Sequence, residues 1–169
     1  MRENYGDHKM KTSATAIALV FVLTAPMAAT AQTAKDLVGT WKNIANVTVG
    51  ADGKRTDVFG PHGTGMAIFA ADGHFIVLNH NPDTAKFVAD SRAKGTDAEN
   101  KAAVAGAIGL YGTYAVSGKT ITMKVAGSTY PNWTGTEQKR DIIKFTPGEF
   151  TWGLKNSLGG RGETTWKKM

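Results

Sequence analysis

The chain has 169 residues, 41% of them hydrophobic, a formal net charge of +6 and no cysteine. That length sets one domain as the expectation, and the lack of cysteine excludes disulfides, thiol chemistry and a lipid-modified cysteine at a cleavage point. The positive balance does not amount to a nucleic-acid surface. Only Lys54-Arg55, Lys139-Arg140 and Lys167-Lys168 are adjacent, and no basic stripe with interleaved aromatics occurs.

Residues 1–31 have the tripartite order of a secretory signal. Lys9 and Lys11 form a positive n-region, residues 14–23 (ATAIALVFVL) an apolar h-region, and Ala29-Thr30-Ala31 a small-x-small cleavage site. The apolar run is too short to span a bilayer. Cleavage after Ala31 leaves a domain of residues 32–169, expected to be exported to the periplasm or secreted.

Period-two alternation dominates the rest. Residues 37–49 open it and end at the turn signal Gly50-Ala51-Asp52-Gly53. Residues 64–70 and 74–80 follow, joined by Ala71-Asp72-Gly73, and Asp-Gly between two alternating runs marks a hairpin. Then come 110–116 and 120–126 across Ser117-Gly118-Lys119, 137–146 and 150–155 across Pro147-Gly148, and 163–167. About eight short strands at regular spacing describe an all-β antiparallel barrel or sandwich.

One segment breaks the rhythm. Asn81-Pro82-Asp83 reads as a helix start with proline in the first turn, and residues 84–93 are helix-compatible. After Gly95, Thr96-Asp97-Ala98-Glu99 has capping-box spacing before an alanine-rich run. A helical insertion is therefore expected between the third and fourth main strands. It either covers one end of a barrel or packs on its side.

Few residues can carry chemistry. His74 and His80 lie about 20 Å apart along one strand face, too far to share a metal, and His62 sits alone in a loop. Ser157 is not in a nucleophile elbow. Asp52, Asp57 and Asp72 fall in or near turns, and Gly159-Gly160-Arg161-Gly162 precedes a strand rather than a helix. Neither a metal nor a cofactor is expected.

The densest stretch is residues 128–140, STYPNWTGTEQKR. In the strand after Gly135, alternation puts Gln138, Arg140 and Ile142 on one face and Glu137, Lys139, Asp141 and Ile143 on the other. The second set is a solvent face, so Gln138 and Arg140 should point inward. A buried arginine is costly unless a polar network or a ligand satisfies it. Tyr130 and Trp133 just upstream would form the rim.

Several pieces resemble one family. Leu37-Val38-Gly39-Thr40-Trp41 looks like the Gly-x-Trp opening strand of lipocalin-like barrels. Four more are similar to the bacterial and fungal lipocalin-like domain family. They are Gly60-Pro61-His62-Gly63, Ala71-Asp72-Gly73-His74-Phe75, Tyr111-Gly112-Thr113-Tyr114 with Val116-x-Gly118, and the block from Tyr130-Pro131-Asn132-Trp133 to Gln138-x-Arg140. Thr165-Trp166-Lys167 resembles the family's closing strand, so the likeness runs from Asp36 to Trp166. It implies a small antiparallel barrel with a helical insertion and an apolar cavity, in a family whose members mostly lack an assigned activity. Where the family often has a histidine pair after Tyr-x-Val-x-Gly, this chain has Thr122-Met123, so an acid–base role does not carry over.

Three functions compete. The leading one is a binding module for a small apolar or amphipathic, carboxylate-bearing ligand. Met66, Ile68, Ile76, Leu78, Ile121, Met123 and Val125 would form its walls, and Tyr114, Gln138 and Arg140 would orient a head group. The second is an isomerase, cyclase or hydratase, with Tyr114, Asn79 or His80 moving protons while Arg140 stabilises an enolate. The third is a filled barrel with a structural or stress role. Trp41 and Trp166 are expected to meet where the barrel closes.

Overall fold

The structure is a computed structural model that describes residue 1, residues 32–155 and residues 159–169. The signal-like segment up to Ala31 and Ser157 lie outside the described residues. From the N-terminus come α1 (Ala34–Leu37), β1 (Gly39–Val49), β2 (Arg55–Asp57), β3 (Thr64–Phe69) and β4 (His74–His80). Then follow α2 (Asp97–Ala105), β5 (Ala107–Ser117), β6 (Thr120–Ser128), β7 (Glu137–Thr146), β8 (Glu149–Lys155) and β9 (Arg161–Lys168).

Neighbours pair antiparallel in the order β1-β3-β4-β5-β6-β7-β8-β9, and β1 pairs again with β9. The result is a closed eight-stranded barrel, which leaves no long edge open. The short β2 stands outside the ring. It pairs with the C-terminal end of β1 (Val47 to Val49), whereas the N-terminal half of β1 (Gly39 to Asn43) pairs with β3. All three β2 residues are exposed, so no alternation marked it in the sequence. Counting β2, the helical insertion falls between β4 and β5 rather than between the third and fourth strands.

The two ends of the barrel are built differently. At the lower end β3–β4, β5–β6 and β7–β8 are joined by tight turns. In the first of these Gly73 takes φ +87°, a conformation open to glycine, and Asp72 Oδ1 accepts the His74 N–H. The longer connections meet at the upper end: residues 58–63, residues 81–106 with α2, and residues 129–136.

Within the insertion, only the second half is helical. Thr96 and Glu99 close their capping box, and α2 follows it. Residues 84–93 do not form the expected helix, apart from a short 3-10 turn starting at Arg92. Asn81 explains the early failure: its Oδ1 accepts the Asp83 N–H at 2.9 Å, a local turn that competes with helix initiation.

The core confirms one half of the expected wall and reverses the other. Ile121, Met123 and Val125 of β6 point inward and are buried. On β3 and β4, Met66, Ile68, Ile76 and Leu78 point outward, each 39–50% exposed, and Ala67, Phe69, Phe75, Val77 and Asn79 line the interior instead. Both faces of these two strands are apolar, so alternation alone could not choose the inner one.

Aromatic rings fill the lower end. Trp41 and Trp166 are both fully buried, but Phe150 lies between them, its centroid 4.7 Å from Trp41 and 6.4 Å from Trp166. They close the base through that ring rather than as a direct ring pair. Trp41 Nε1 donates to the Leu37 carbonyl at 2.7 Å, which fixes α1 beneath the barrel. Lys168 Nζ lies over the Trp41 ring, 5.2 Å from its centroid.

Candidate ligand-binding site

Above this base the interior is not filled. A cavity of about 310 Å³ opens in the upper half, at the small end of the range for small-molecule pockets. Its floor is Trp152, Met123 and Val77, with the Trp152 ring 5.4 Å from Trp166 and 6.1 Å from Phe69 below. Apolar walls come from Leu110, Ile108 and Leu154, and from Val58 and Phe59 after β2. Ala105 at the end of α2 and Ala107 reach its mouth, so the insertion sits at the rim of the open end.

Polar groups enter this apolar space from few directions. Asn46 and Thr164 contribute from β1 and β9, Asn79 from β4, and Arg140 from β7. The alternation of β7 places Arg140 inside because Glu137, Lys139 and Asp141 are held in solvent. A bulge between Ile142 and Lys144 then shifts the parity, so that Ile143 and Lys144 both face out and Phe145 packs against the core.

Arg140 is 7% exposed. Its Nη1 donates to the Lys139 carbonyl at 3.2 Å and its Nη2 to Gln138 Oε1. Both acceptors are neutral, and no carboxylate among the described residues forms an ion pair with it. Trp133 places its ring 5.9 Å from the guanidinium carbon, a further neutral contact. Burial pulls the Arg140 pKa down from its usual value to about 10. The guanidinium is therefore a charge held next to an apolar cavity with no counter-charge.

The other expected site residues divide. Asn79, Met123, Trp133 and Arg140 line the cavity together. Gln138 stands one layer back as the acceptor for Arg140. Tyr130 is largely exposed and meets Trp133 edge-on, with centroids 5.6 Å apart, outside the cavity wall. His80 alternates with Asn79 and so faces away from the cavity, which it does not line. Tyr114 is buried at the lower end, where its hydroxyl donates to the Ala70 carbonyl at 3.1 Å. Four residues separate it from Leu110 on the same strand face, about 13 Å at the usual rise. Burial, with the Asp72 carboxylate adding to it, raises its pKa. Two of the three proposed proton donors thus stand away from Arg140.

Sequence reasoning missed Trp152, Phe59, Leu110, Val77 and Thr164. Trp152 was the most accessible of them, since it shares the inward parity of Phe150 in β8. Phe59 lies in a loop, where no periodicity could mark it as buried.

Residues 38–168 match the family described as "Lipocalin-like domain". Among solved structures, a lipocalin-like protein from Bacteroides uniformis shares 14% identity at a TM-score of 0.44, covering 79% of this chain and 99% of its own. A redesigned β-barrel, mFAP1, bound to DFHBI, shares 20% identity at a TM-score of 0.39, covering 80% of this chain and 97% of its own. The sequence matches no protein of curated function.

Proposed function

From the premise that the chain belongs to the lipocalin-like domain family, a fold that generally binds small hydrophobic ligands, we propose that it binds a small apolar molecule bearing an anionic group. The apolar body lies on Trp152, Met123 and Leu110, and the anion pairs with Arg140. The observation that carries this reading is the Arg140 guanidinium: 7% exposed, at the cavity wall, with only neutral partners among the described residues. An unpaired buried charge is expensive, and a planar carboxylate presents two oxygens to the guanidinium fork. Among the described residues no helix is long and apolar enough to cross a membrane.

Calorimetric titration with small aromatic carboxylates and their uncharged amides tests this directly. Acids should bind and the matching amides should not. Equal binding of both, or binding of neither, would remove Arg140 as an anion anchor.

Export is the second part of the proposal. The n-region, the apolar run and Ala29-Thr30-Ala31 support a mature chain that begins at Gln32 in the periplasm or outside the cell. Intact mass of the exported protein should correspond to residues 32–169; a full-length cytoplasmic species would contradict it.

A further inference from the structure

The outer face of β3, β4 and β5 carries the large apolar side chains that the interior did not take. Register sets Met66 beside Leu78 and Ile68 beside Ile76, with Tyr111 on the far side of Ile76. Tyr111 is 55% exposed, the most of the five. They form one unbroken patch of on the order of 450 Å² of apolar surface, a size at which such patches are often functional.

The face has relief. Beside the ridge of Met66 and Ile68 runs a groove of about 570 Å³, lined by Ile76, Leu78, Gly109, Tyr111 and Gly127. Gly127 keeps its floor low: a Cβ there would stand 2.5 Å from the Tyr111 ring, which lies across it. A ridge and a groove side by side on one surface suit a two-fold axis, which seats each ridge in the other copy's groove.

Area and charge point to the same occupant. A standard interface takes about 800 Å² from each partner, about 65% of it apolar in homodimers. The patch supplies most of that apolar share, and Thr40, Thr113 and Thr129 border it with polar groups. No charged side chain lies within it; Lys42, His74 and Lys124 stand at its rim. A chain of net charge +6 opposes a copy of itself wherever lysines would meet, so an uncharged face is where two copies approach at least cost. The closed ring offers no long strand edge, so copies must meet through a face. A lipid surface would make no use of a groove, and its anionic head groups would meet only the few cations of the rim.

We infer that this face joins two copies of the chain in a two-fold dimer, Met66 and Ile68 of each seated between Leu78 and Tyr111 of the other. Sedimentation velocity of the exported protein at micromolar concentration should give twice the chain mass. Ile76→Glu sets a charge in the middle of the face, pointing away from the interior, and should weaken association about a hundredfold or more. Ile143→Glu changes an equally exposed isoleucine on β7, away from the face, and should leave the dimer intact. Leu78→Lys takes the place of Ile76→Glu if circular dichroism shows that the latter does not fold. A wild type that stays monomeric overturns the inference; if that monomer binds phosphatidylglycerol vesicles and Ile76→Glu does not, the face meets lipid instead. A dimer that survives both Ile76→Glu and Leu78→Lys, or that Ile143→Glu dissociates equally well, also overturns it.

Discussion

The lower and upper halves of this barrel use similar residues to opposite ends. In the lower half rings pack on rings, and two of the polar atoms they carry find partners: the Trp41 indole donates to Leu37, and the Tyr114 hydroxyl to Ala70. Trp166 Nε1 has none among the described residues. In the upper half Trp152, Met123 and Leu110 surround open space, and Arg140 borders it with no carboxylate partner among the described residues. The upper half can pair charges when it needs to. On its outer surface the buried Glu163 accepts from Arg55 at 2.9 Å and from Arg161 at 2.5 Å. Pairing outside and its lack inside are the contrast on which the proposed anion site rests.

Substitutions that separate stability from binding sharpen this contrast. The largest effect belongs to the base. Trp41→Ala should cost about 3–5 kcal/mol, as for other buried aromatics, measured by denaturant unfolding. Binding of carboxylates by the folded fraction should not change; a binding defect without lost stability would make Trp41 part of the ligand site and blur the two halves.

Gly65→Ala acts at the boundary. Its Cβ would stand 2.2 Å from both Asn79 Oδ1 and the Leu78 carbonyl, and that backbone oxygen cannot swing away as a side chain would. A loss of about 1–3 kcal/mol is expected, together with weaker binding as Asn79 is displaced. Unchanged stability would show that the wall yields there.

Glu163→Gln should cost about 1–3 kcal/mol near neutral pH. Burial pushes the Glu163 carboxyl up, but hydrogen bonds and charge from Arg161 and Arg55 outweigh it and hold its pKa below the usual value. A depressed carboxylate contributes stability above its unfolded pKa and loses it as pH falls through the folded one. The gap between wild type and Glu163→Gln should therefore be widest above about pH 4.5 and close below it. A gap independent of pH would remove the charge from the explanation. The smallest effect is Tyr114→Phe, about 1 kcal/mol for one buried hydrogen bond, with no change in ligand affinity. A lost or altered affinity would return Tyr114 to the binding machinery.

How the sequence encodes this contrast depends on the strand. In β7, charges at 137, 139 and 141 leave no doubt about the inner face, and Arg140 follows from them. In β3 and β4 apolar side chains occupy both faces, so the sequence could not say whether Ile76 or Phe75 looks inward. The strand pairing answers it, because β3 must place Ala67 and Phe69 over the aromatic base. Asn81 hid a turn inside an apparent helix start, and β2 is too short and too exposed to carry a period. That Asn79 Oδ1 has no hydrogen-bond partner among the described residues was beyond any sequence reading. It depends on which groups from β1 and β3 arrive beside it, and Gly65 brings none.

The central claim is that Arg140 is held unpaired for an anion. The measurement that bears on it most directly is the thermal unfolding of wild type and Arg140→Met, each with and without saturating cinnamate. Removing a buried, unpaired charge should stabilise the empty protein by about 1–3 kcal/mol, raising its melting midpoint by several degrees. Cinnamate should then stabilise only the wild type, bringing it up toward the variant. An Arg140→Met protein that melts lower than the empty wild type, and that cinnamate still stabilises, would make Arg140 an ordinary member of an internal network and contradict the account.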